Sequence, residues 1–121
     1  MEKVNLEDAF ALFDERWSPR LAGELNGQAV KLARAEGEFV WHEHEDADEL
    51  FLVVSGELRI EFRNESDVVL REGELVVVPR GVEHRPVAEE EAEILLFEPT
   101  DTRNTGNVET ERTETDIERI E

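Results

Sequence analysis

Short runs of β-branched and other apolar residues, separated by turn-forming residues, leave the middle of this chain few folds to adopt. From Gln28 to Phe97 the apolar residues show no helical period, and Gly, Pro, Asn and acidic residues interrupt them. These interruptions predict eight strands, at 28–35, 38–44, 49–54, 57–63, 67–70, 74–78, 82–87 and 93–98. Eight short strands fit a β-sandwich or a barrel, so the expected fold class is all-β.

A helical pattern precedes the first of these strands. Asn5 is a favoured N-cap residue, and apolar residues after it recur at i, i+4 and i+7, which places them on one helix face. Residues 5–16 are therefore predicted to form a short amphipathic helix, which ends before Pro19.

Composition divides the chain into a helix and lead-in at 1–27, a barrel at 28–99 and an acidic, polar tail at 100–121. The large apolar residues of the tail are Val108, Ile117 and Ile120. Such a segment is typical of a linker or a disordered end. The alternative is a tail that folds across the barrel or a partner subunit, with one helical turn over 116–121.

Several predicted strands, at 50–54, 75–78 and 94–97, are apolar at consecutive positions. Strands of this kind are expected to be buried on both faces. The inner face fills the barrel, and the outer face needs the N-terminal helix, a second sheet or another copy of the chain to cover it. We therefore predict a homodimer.

The chain is strongly acidic, with 32 Asp and Glu against 13 Lys and Arg and a formal net charge of −19. Nucleic-acid binding needs a basic surface, which this balance argues against. Repulsion between so many carboxylates destabilises the compact state of a chain unless salt shortens the Debye length and screens them from each other. Scarce Lys, more plentiful Arg and excess Glu resemble the composition of proteins from salt-accumulating halophiles. The alternative is an acidic surface that binds a basic partner.

The sequence also bears on the expected location. No apolar stretch approaches the roughly 20 residues of a membrane-spanning helix. The N-terminus has neither the basic start nor the apolar run of a secretory signal, so the expected location is the cytoplasm. The absence of Cys excludes disulfides, thiolate metal ligands and cysteine nucleophiles.

The histidines of the chain lie in two short segments. His42 and His44 are two residues apart, so on a strand their imidazoles point to the same side. Glu49 follows at an odd offset, but the turn-like residues 45–48 allow the chain to reverse and return Glu49 to the same interior. In the second segment a predicted type I turn launches a strand that carries His84. Three imidazoles and one carboxylate can then converge as an N₃O ligand set.

Two segments that contain these residues resemble the motifs of the cupin superfamily. Gly37, followed by His42, His44, Glu49 and Gly56, is similar to the first cupin motif, and residues 73–84 are similar to the second. The resemblance covers about 28–98 and is to small single-domain cupins of the conserved-barrel type, some of them described as mannose-6-phosphate isomerase-like.

The resemblance implies a cupin β-sandwich barrel, also called a double-stranded β-helix and similar to a jelly roll, which here follows a short N-terminal α-helix. It also implies one divalent transition metal (Fe, Mn, Ni, Cu or Zn) bound by His42, His44, Glu49 and His84, and commonly a dimer. The alternative for the His cluster is a set of satisfied polar residues in a metal-free barrel.

Three further residues are expected to line the pocket. Phe51 and Val53 share the strand face of Glu49, and Arg80, in the turn before His84, could bind an anionic substrate. The leading functional hypothesis is a mononuclear metalloenzyme that chelates a small oxygenated molecule, as an oxygenase, isomerase or lyase. The alternatives are a non-catalytic module that binds or senses a small ligand and a structural dimer with an empty barrel.

Overall fold

The computed structural model of the chain describes residues 1–108, 110, 113 and 117–120. Within them the chain forms a short helix and seven strands. The elements are α1 (Leu6–Phe10), β1 (Arg20–Leu25), β2 (Gln28–Glu38), β3 (Glu49–Ser55), β4 (Glu57–Phe62), β5 (Val68–Arg71), β6 (Leu75–Val78) and β7 (His84–Pro99).

The strands form an antiparallel β-sandwich barrel in which the long strand β7 holds the two halves together. Neighbouring strands follow the order β1-β2-β7-β3-β6, and β4 pairs with β5 and with β7. On one edge of β7, the first part pairs with β4 and the later part with β3. The other edge of β7 pairs with β2. The all-β prediction with an N-terminal helix is confirmed.

The strands predicted at 82–87 and 93–98 are a single strand, β7. Exposed acidic residues between them suggested a turn, but β2 is long enough to pair with both parts. A register shift between Ala35 and Gly37 allows this pairing to continue past the acidic residues.

Two other predictions near β2 were wrong. Residues 39–44 do not form a regular strand and make only an isolated bridge, between His42 and His84. The lead-in predicted at 1–27 also contains a strand, because residues 20–25 form β1 and pair with β2. Asn26 and Gly27 connect them with φ angles of +52° and +77°, which fits a type I′ hairpin turn.

The helix α1 is shorter than the predicted 5–16. Its start agrees with the prediction, because the side chain of Asn5 accepts a hydrogen bond from the backbone N–H of Asp8 at 3.0 Å. Its end is set by Arg34 of β2, whose guanidinium donates to the backbone carbonyls of Phe10 and Phe13. These carbonyls therefore have partners outside the helix, and the chain turns away after Phe10.

Apolar residues pack in two places. The larger cluster fills the barrel and includes Phe51, Val53, Leu58 and Ile60, while α1 covers the outer face of β2 at Leu32. The outer faces of the other strands are less covered. On β6, Leu75 is 54% exposed and Val77 49% exposed, so the expected burial on both faces is not achieved there within one chain.

The described residues of the tail contact the barrel at two places. Gly106 and Asn107 lie against Glu43, in the loop that carries His42 and His44. Farther along, the backbone of Glu118–Ile120 bonds to Leu21 of β1, and Ile120 packs against the cluster under α1. The expected helical turn is wrong for 117–120, where Arg119 forms a β-bridge. Residues 116 and 121 lie outside the described residues.

Candidate metal centre

The two segments that carry the histidines are joined through their backbones. His42 and His84 exchange backbone hydrogen bonds in both directions, at 3.0 and 2.9 Å, and the N–H of Gly81 donates to the carbonyl of His44 at 2.8 Å. Glu49 enters from the first residue of β3, where it pairs with Val78 of β6. The reversal at 45–48 therefore returns Glu49 to the histidines.

Backbone carbonyls orient two of the imidazoles. Nδ1 of His42 lies 3.0 Å from the carbonyl of Val40, and Nδ1 of His84 lies 2.8 Å from the carbonyl of Val82. In both cases the neutral ring donates from Nδ1, which leaves the Nε2 lone pair for a metal. The same geometry, a histidine bonded to the carbonyl two residues earlier, occurs in both segments.

The four predicted ligands meet at one point in the barrel. One side-chain nitrogen or oxygen from each of His42, His44, Glu49 and His84 lies within 4.8 Å of the others. Oε1 of Glu49 is 3.2 Å from Nε2 of His44 and 3.5 Å from Nε2 of His84. All four residues are buried, the most exposed at 7%.

The atoms of this cluster fit a divalent metal. Nε2 of His44, Oε1 of Glu49 and Nε2 of His84 are buried and lack a hydrogen-bond partner among the described residues. Buried polar atoms without partners are costly, whereas a metal ion would bind all of them at once. Nitrogen and carboxylate donors without thiolates suit Fe, Mn, Ni, Cu or Zn.

Burial changes the protonation of the cluster in the direction that metal binding needs. Burial, and then the neighbouring His84, lower the pKa of His42 to about 4, so its imidazole is neutral at pH 7. Burial alone would raise the pKa of Glu49, but the close imidazoles of His44 and His84 outweigh it and lower the pKa. A neutral imidazole and an ionised carboxylate are the forms that bind metals.

A small cavity of about 30 Å³ lies beside the ligands inside the barrel. Its walls are mainly apolar, and Phe51 is one of them, with its ring 5.9 Å from that of His84. Val53 is completely buried in the core but does not line this cavity. Arg80 is exposed and bound to Asp48, so it does not line the cavity either.

A larger groove opens on the other side of His44. Its volume is about 520 Å³, and its walls come from residues 44–47 and from the tail. The tail is fixed there by Asn107, which accepts a hydrogen bond from the N–H of Glu43 and donates its own N–H to the carbonyl of Glu43. Gly106 lies so close that a Cβ atom would overlap this carbonyl.

Sequence reasoning missed a second polar group inside the barrel. Glu98 of β7 is 1% exposed and Lys31 of β2 is 2% exposed. Nζ of Lys31 lies 3.9 Å from Glu98 and donates to the carbonyl of Thr102 at 3.1 Å. Glu98 follows the inward-facing Ile94 and Leu96 at the same two-residue spacing, which is the signal that could have identified it.

Comparison with known proteins agrees with this geometry. Residues 29–98 match the family described as "Cupin domain". The chain belongs to the cupin family. In this cupin the matched range contains all four candidate ligands, as well as Lys31 and Glu98.

Three relatives illustrate the similarity. A cupin-2 domain protein of Shewanella frigidimarina NCIMB 400 is 50% identical, with 79% of this chain and 93% of that chain covered and a TM-score of 0.77. Protein NMB1881 of Neisseria meningitidis is 31% identical over 82% of this cupin and 100% of that chain, with a TM-score of 0.75. The uncharacterized protein YdbB of Bacillus subtilis (strain 168) is 44% identical over 62 residues, 51% of this chain and 55% of YdbB. The match thus spans about half the length of this curated relative.

Proposed function

We propose that this cupin binds one divalent transition metal through His42, His44, Glu49 and His84, and that it is a metalloenzyme for a small oxygenated molecule. The buried ligand atoms without hydrogen-bond partners carry the proposal. Such a set is costly to keep in a barrel interior unless it binds an ion.

Four protein ligands leave up to two positions of an octahedral ion open to a substrate. When bound, the metal would supply Lewis acidity and, for a redox metal, oxygen chemistry. The protein contributes the surroundings. Phe51 and the other apolar walls exclude water from the inner side, while the groove at His44 is large enough to admit a small molecule. Substrates with adjacent oxygens, which can chelate, are therefore the expected class.

Turnover by the metal-loaded protein tests this proposal. The purified chain would be loaded separately with Fe, Mn, Ni, Cu and Zn and incubated with diols, diketones and phenols, with product and oxygen consumption followed. We expect conversion by wild type and a loss of at least 100-fold in His84→Ala. Glu83→Ala, at an exposed neighbour, is the control and keeps wild-type turnover. Turnover unchanged in His84→Ala contradicts a role for the metal.

The second candidate is a non-catalytic module that binds or senses a small ligand. The inner cavity favours it, because its walls offer no acid or base for catalysis beyond the ligands His42 and Glu49. A metabolite that binds tightly to the metal-loaded protein and is recovered unchanged supports this candidate, whereas a product formed from it supports the enzyme.

We also propose a cytoplasmic location in a salt-accumulating organism, from the charge of −19. Within the described residues no helix is both long and apolar enough to cross a membrane.

A sugar-phosphate isomerase is the less favoured of the possible activities. The groove at His44 includes Glu45, Asp46 and Asp101, which repel a phosphate, against a single arginine, Arg103.

A further inference from the structure

Two stacked aromatic rings line the small cavity beside the candidate ligands. Trp17, in the lead-in, stacks on Phe39 with the ring centroids 4.9 Å apart, and the ring of Phe39 stands at 90° to that of His42, 5.5 Å away. All three rings line the cavity, together with Glu49. The cavity therefore extends from two of the candidate ligands to Trp17.

Trp17 is held in this wall in a backbone conformation that bulky residues rarely adopt. Its φ is +57°, in the left-handed region. Two hydrogen bonds to β2 fix the residue there. Its backbone N–H donates to the carbonyl of Arg34 at 2.7 Å, and its indole Nε1–H donates to the carbonyl of Glu36 at 2.9 Å. Strain of this kind persists only where the surroundings hold it, and it is concentrated at ligand-binding and active sites.

The size and the polarity of the cavity suit a short alkyl group. Its volume is about 30 Å³, and apart from the two ligands and Asn104 of the tail its wall residues are apolar. A water molecule needs roughly 10–15 Å³ of cavity space, so this volume corresponds to about two or three heavy atoms. An alkyl group gains roughly fourfold in affinity for each methylene buried there, whereas a polar group would lose its hydrogen-bond partners.

Ala33 of β2 keeps this space open. It is 2% exposed and lines the cavity, so the added methyl groups of a larger side chain would occupy part of it. Ala35, two residues farther along the same strand, is completely buried in the same core cluster but does not line the cavity. The two alanines therefore differ in the one property that a test of the cavity needs.

The candidate ligands lie between this cavity and the groove. The groove reaches them at His44, and the cavity reaches them at His42 and Glu49. We propose that the molecule chelated at the metal carries a short alkyl group, which the cavity binds, and that Trp17 and Ala33 limit the length of this group. The inference rests on the proposed metal site and narrows its substrate class to small oxygenated molecules with a short aliphatic end.

Binding of alkyl hydroxamic acids to the Co²⁺-loaded full-length chain tests the proposal, with the visible absorption spectrum as the readout. Hydroxamates chelate a divalent metal through adjacent oxygens, and acetohydroxamic, propionohydroxamic and hexanohydroxamic acid differ only in their alkyl chains. We expect propionohydroxamic acid to bind at least about threefold more tightly than acetohydroxamic acid, because its additional methylene is buried. Hexanohydroxamic acid should bind at least about tenfold more weakly than propionohydroxamic acid, since its chain exceeds the cavity.

Ala33→Val should remove the preference for propionohydroxamic over acetohydroxamic acid, because its added methyl groups occupy the cavity. The ratio of the two affinities should fall to about one or below. Ala35→Val is the matched control and should keep the wild-type ratio. Equal affinities for the two acids in wild type overturn the proposal. A wild-type ratio in Ala33→Val, an equal fall in both variants, or hexanohydroxamic acid bound by wild type as tightly as propionohydroxamic acid overturns it as well.

Trp17→Phe is a second variant, which also serves if Ala33→Val does not fold. Its smaller ring enlarges the cavity, so hexanohydroxamic acid should gain at least about fivefold in affinity relative to propionohydroxamic acid. Unchanged relative affinities in Trp17→Phe overturn the role of Trp17. If wild type does not bind Co²⁺, the proposed metal site fails. If wild type binds Co²⁺ and binds the hydroxamic acids without regard to chain length, the cavity proposal alone fails.

Discussion

At the scale of single residues, the nitrogen that His42 and His84 offer to a metal is decided by backbone carbonyls. Each ring donates from Nδ1 to the carbonyl two residues before it. Nε2 therefore points to the centre without any help from a second side chain. This arrangement needs the neutral imidazole, and the lowered pKa of His42 provides it at pH 7.

The pKa of His42 predicts a pH dependence of stability in the metal-free protein. The unfolded chain takes up this proton near pH 6.5, and the folded chain only near pH 4. Between these values the unfolded state holds more protons, so stability rises with pH and is lost as pH falls from about 6.5 toward 4. The lost free energy of unfolding is up to roughly 3 kcal/mol.

Urea unfolding with a chelator present, from pH 4 to 7, measures this effect. His42→Gln should show a shallower rise of the free energy of unfolding with pH than wild type. Glu45→Gln, at an exposed neighbour, serves as the control and should keep the wild-type slope. Parallel curves for wild type and His42→Gln contradict the assignment.

The sequence identifies the candidate ligands but not the buried Glu98 of β7. His42 and His44 share a strand period, and a turn places His84 opposite, so spacing alone suggests that they meet. Glu98 is one of 32 acidic residues. What separates Glu98 from the other acidic residues is its inward-facing position on β7. This position depends on how far β2 pairs along β7.

At the scale of elements, the tail lies in close contact with the loop that carries His42 and His44. A methyl group added at Gly106 should therefore disturb the metal site. In Gly106→Ala the new Cβ overlaps the carbonyl of Glu43 and approaches the ring of His42. We expect the tail to be displaced, with at least a tenfold loss of Zn²⁺ affinity and faster amide hydrogen exchange in 102–108. Calorimetric titration and hydrogen exchange measure the two effects.

Gly73→Ala is the matched control for this substitution. Gly73 also has a positive φ, of +82°, but a Cβ there has open space around it. The strained backbone should cost about 1 kcal/mol of stability, without any change in Zn²⁺ affinity. Equal Zn²⁺ affinities in Gly73→Ala and Gly106→Ala would show that the tail does not support the metal site.

The elements were predicted best where apolar runs end in clear turns, as at β3 and β6. They were predicted worst where contacts between residues distant in sequence decide where an element begins or ends. Glu89–Glu91 indicated a turn, yet pairing with β2 carries β7 through this segment. In the same way the apolar period after Asn5 continues to Phe13, but Arg34 takes the carbonyls and ends α1 at Phe10.

At the scale of the whole molecule, the charge of −19 predicts stabilisation by salt. The Debye length falls from about 10 Å at 0.1 M salt to about 3 Å at 1 M, so most of the rise in Tm should occur within this range. Thermal unfolding in KCl from 0.05 to 3 M measures it. A Tm that does not change below 1 M KCl would show that repulsion between the carboxylates does not limit the stability of the fold.

The exposed apolar residues of β6 identify the face through which the predicted homodimer would form. Leu75 and Val77 are about half exposed, and among the described residues only β3 pairs with β6. We propose a second copy of the chain as the occupant of this face. Sedimentation in 2 M KCl should show a dimer for wild type and a monomer for Leu75→Glu.

Val69→Glu is the control for the dimer, since Val69 is similarly exposed, at 41%, but lies on β5. It should leave the dimer intact. A wild type that sediments as a monomer at all concentrations removes the prediction, and so does a dimer that Leu75→Glu leaves unchanged.

The most direct test of the metal centre is the metal content of the untagged protein, measured by elemental mass spectrometry after metal loading and removal of free metal. We expect about one equivalent of a transition metal per chain in wild type and less than about a tenth of an equivalent in Glu49→Ala, because four ligands converge at a single position. Metal-free wild-type protein, or Glu49→Ala with a full equivalent, would contradict it.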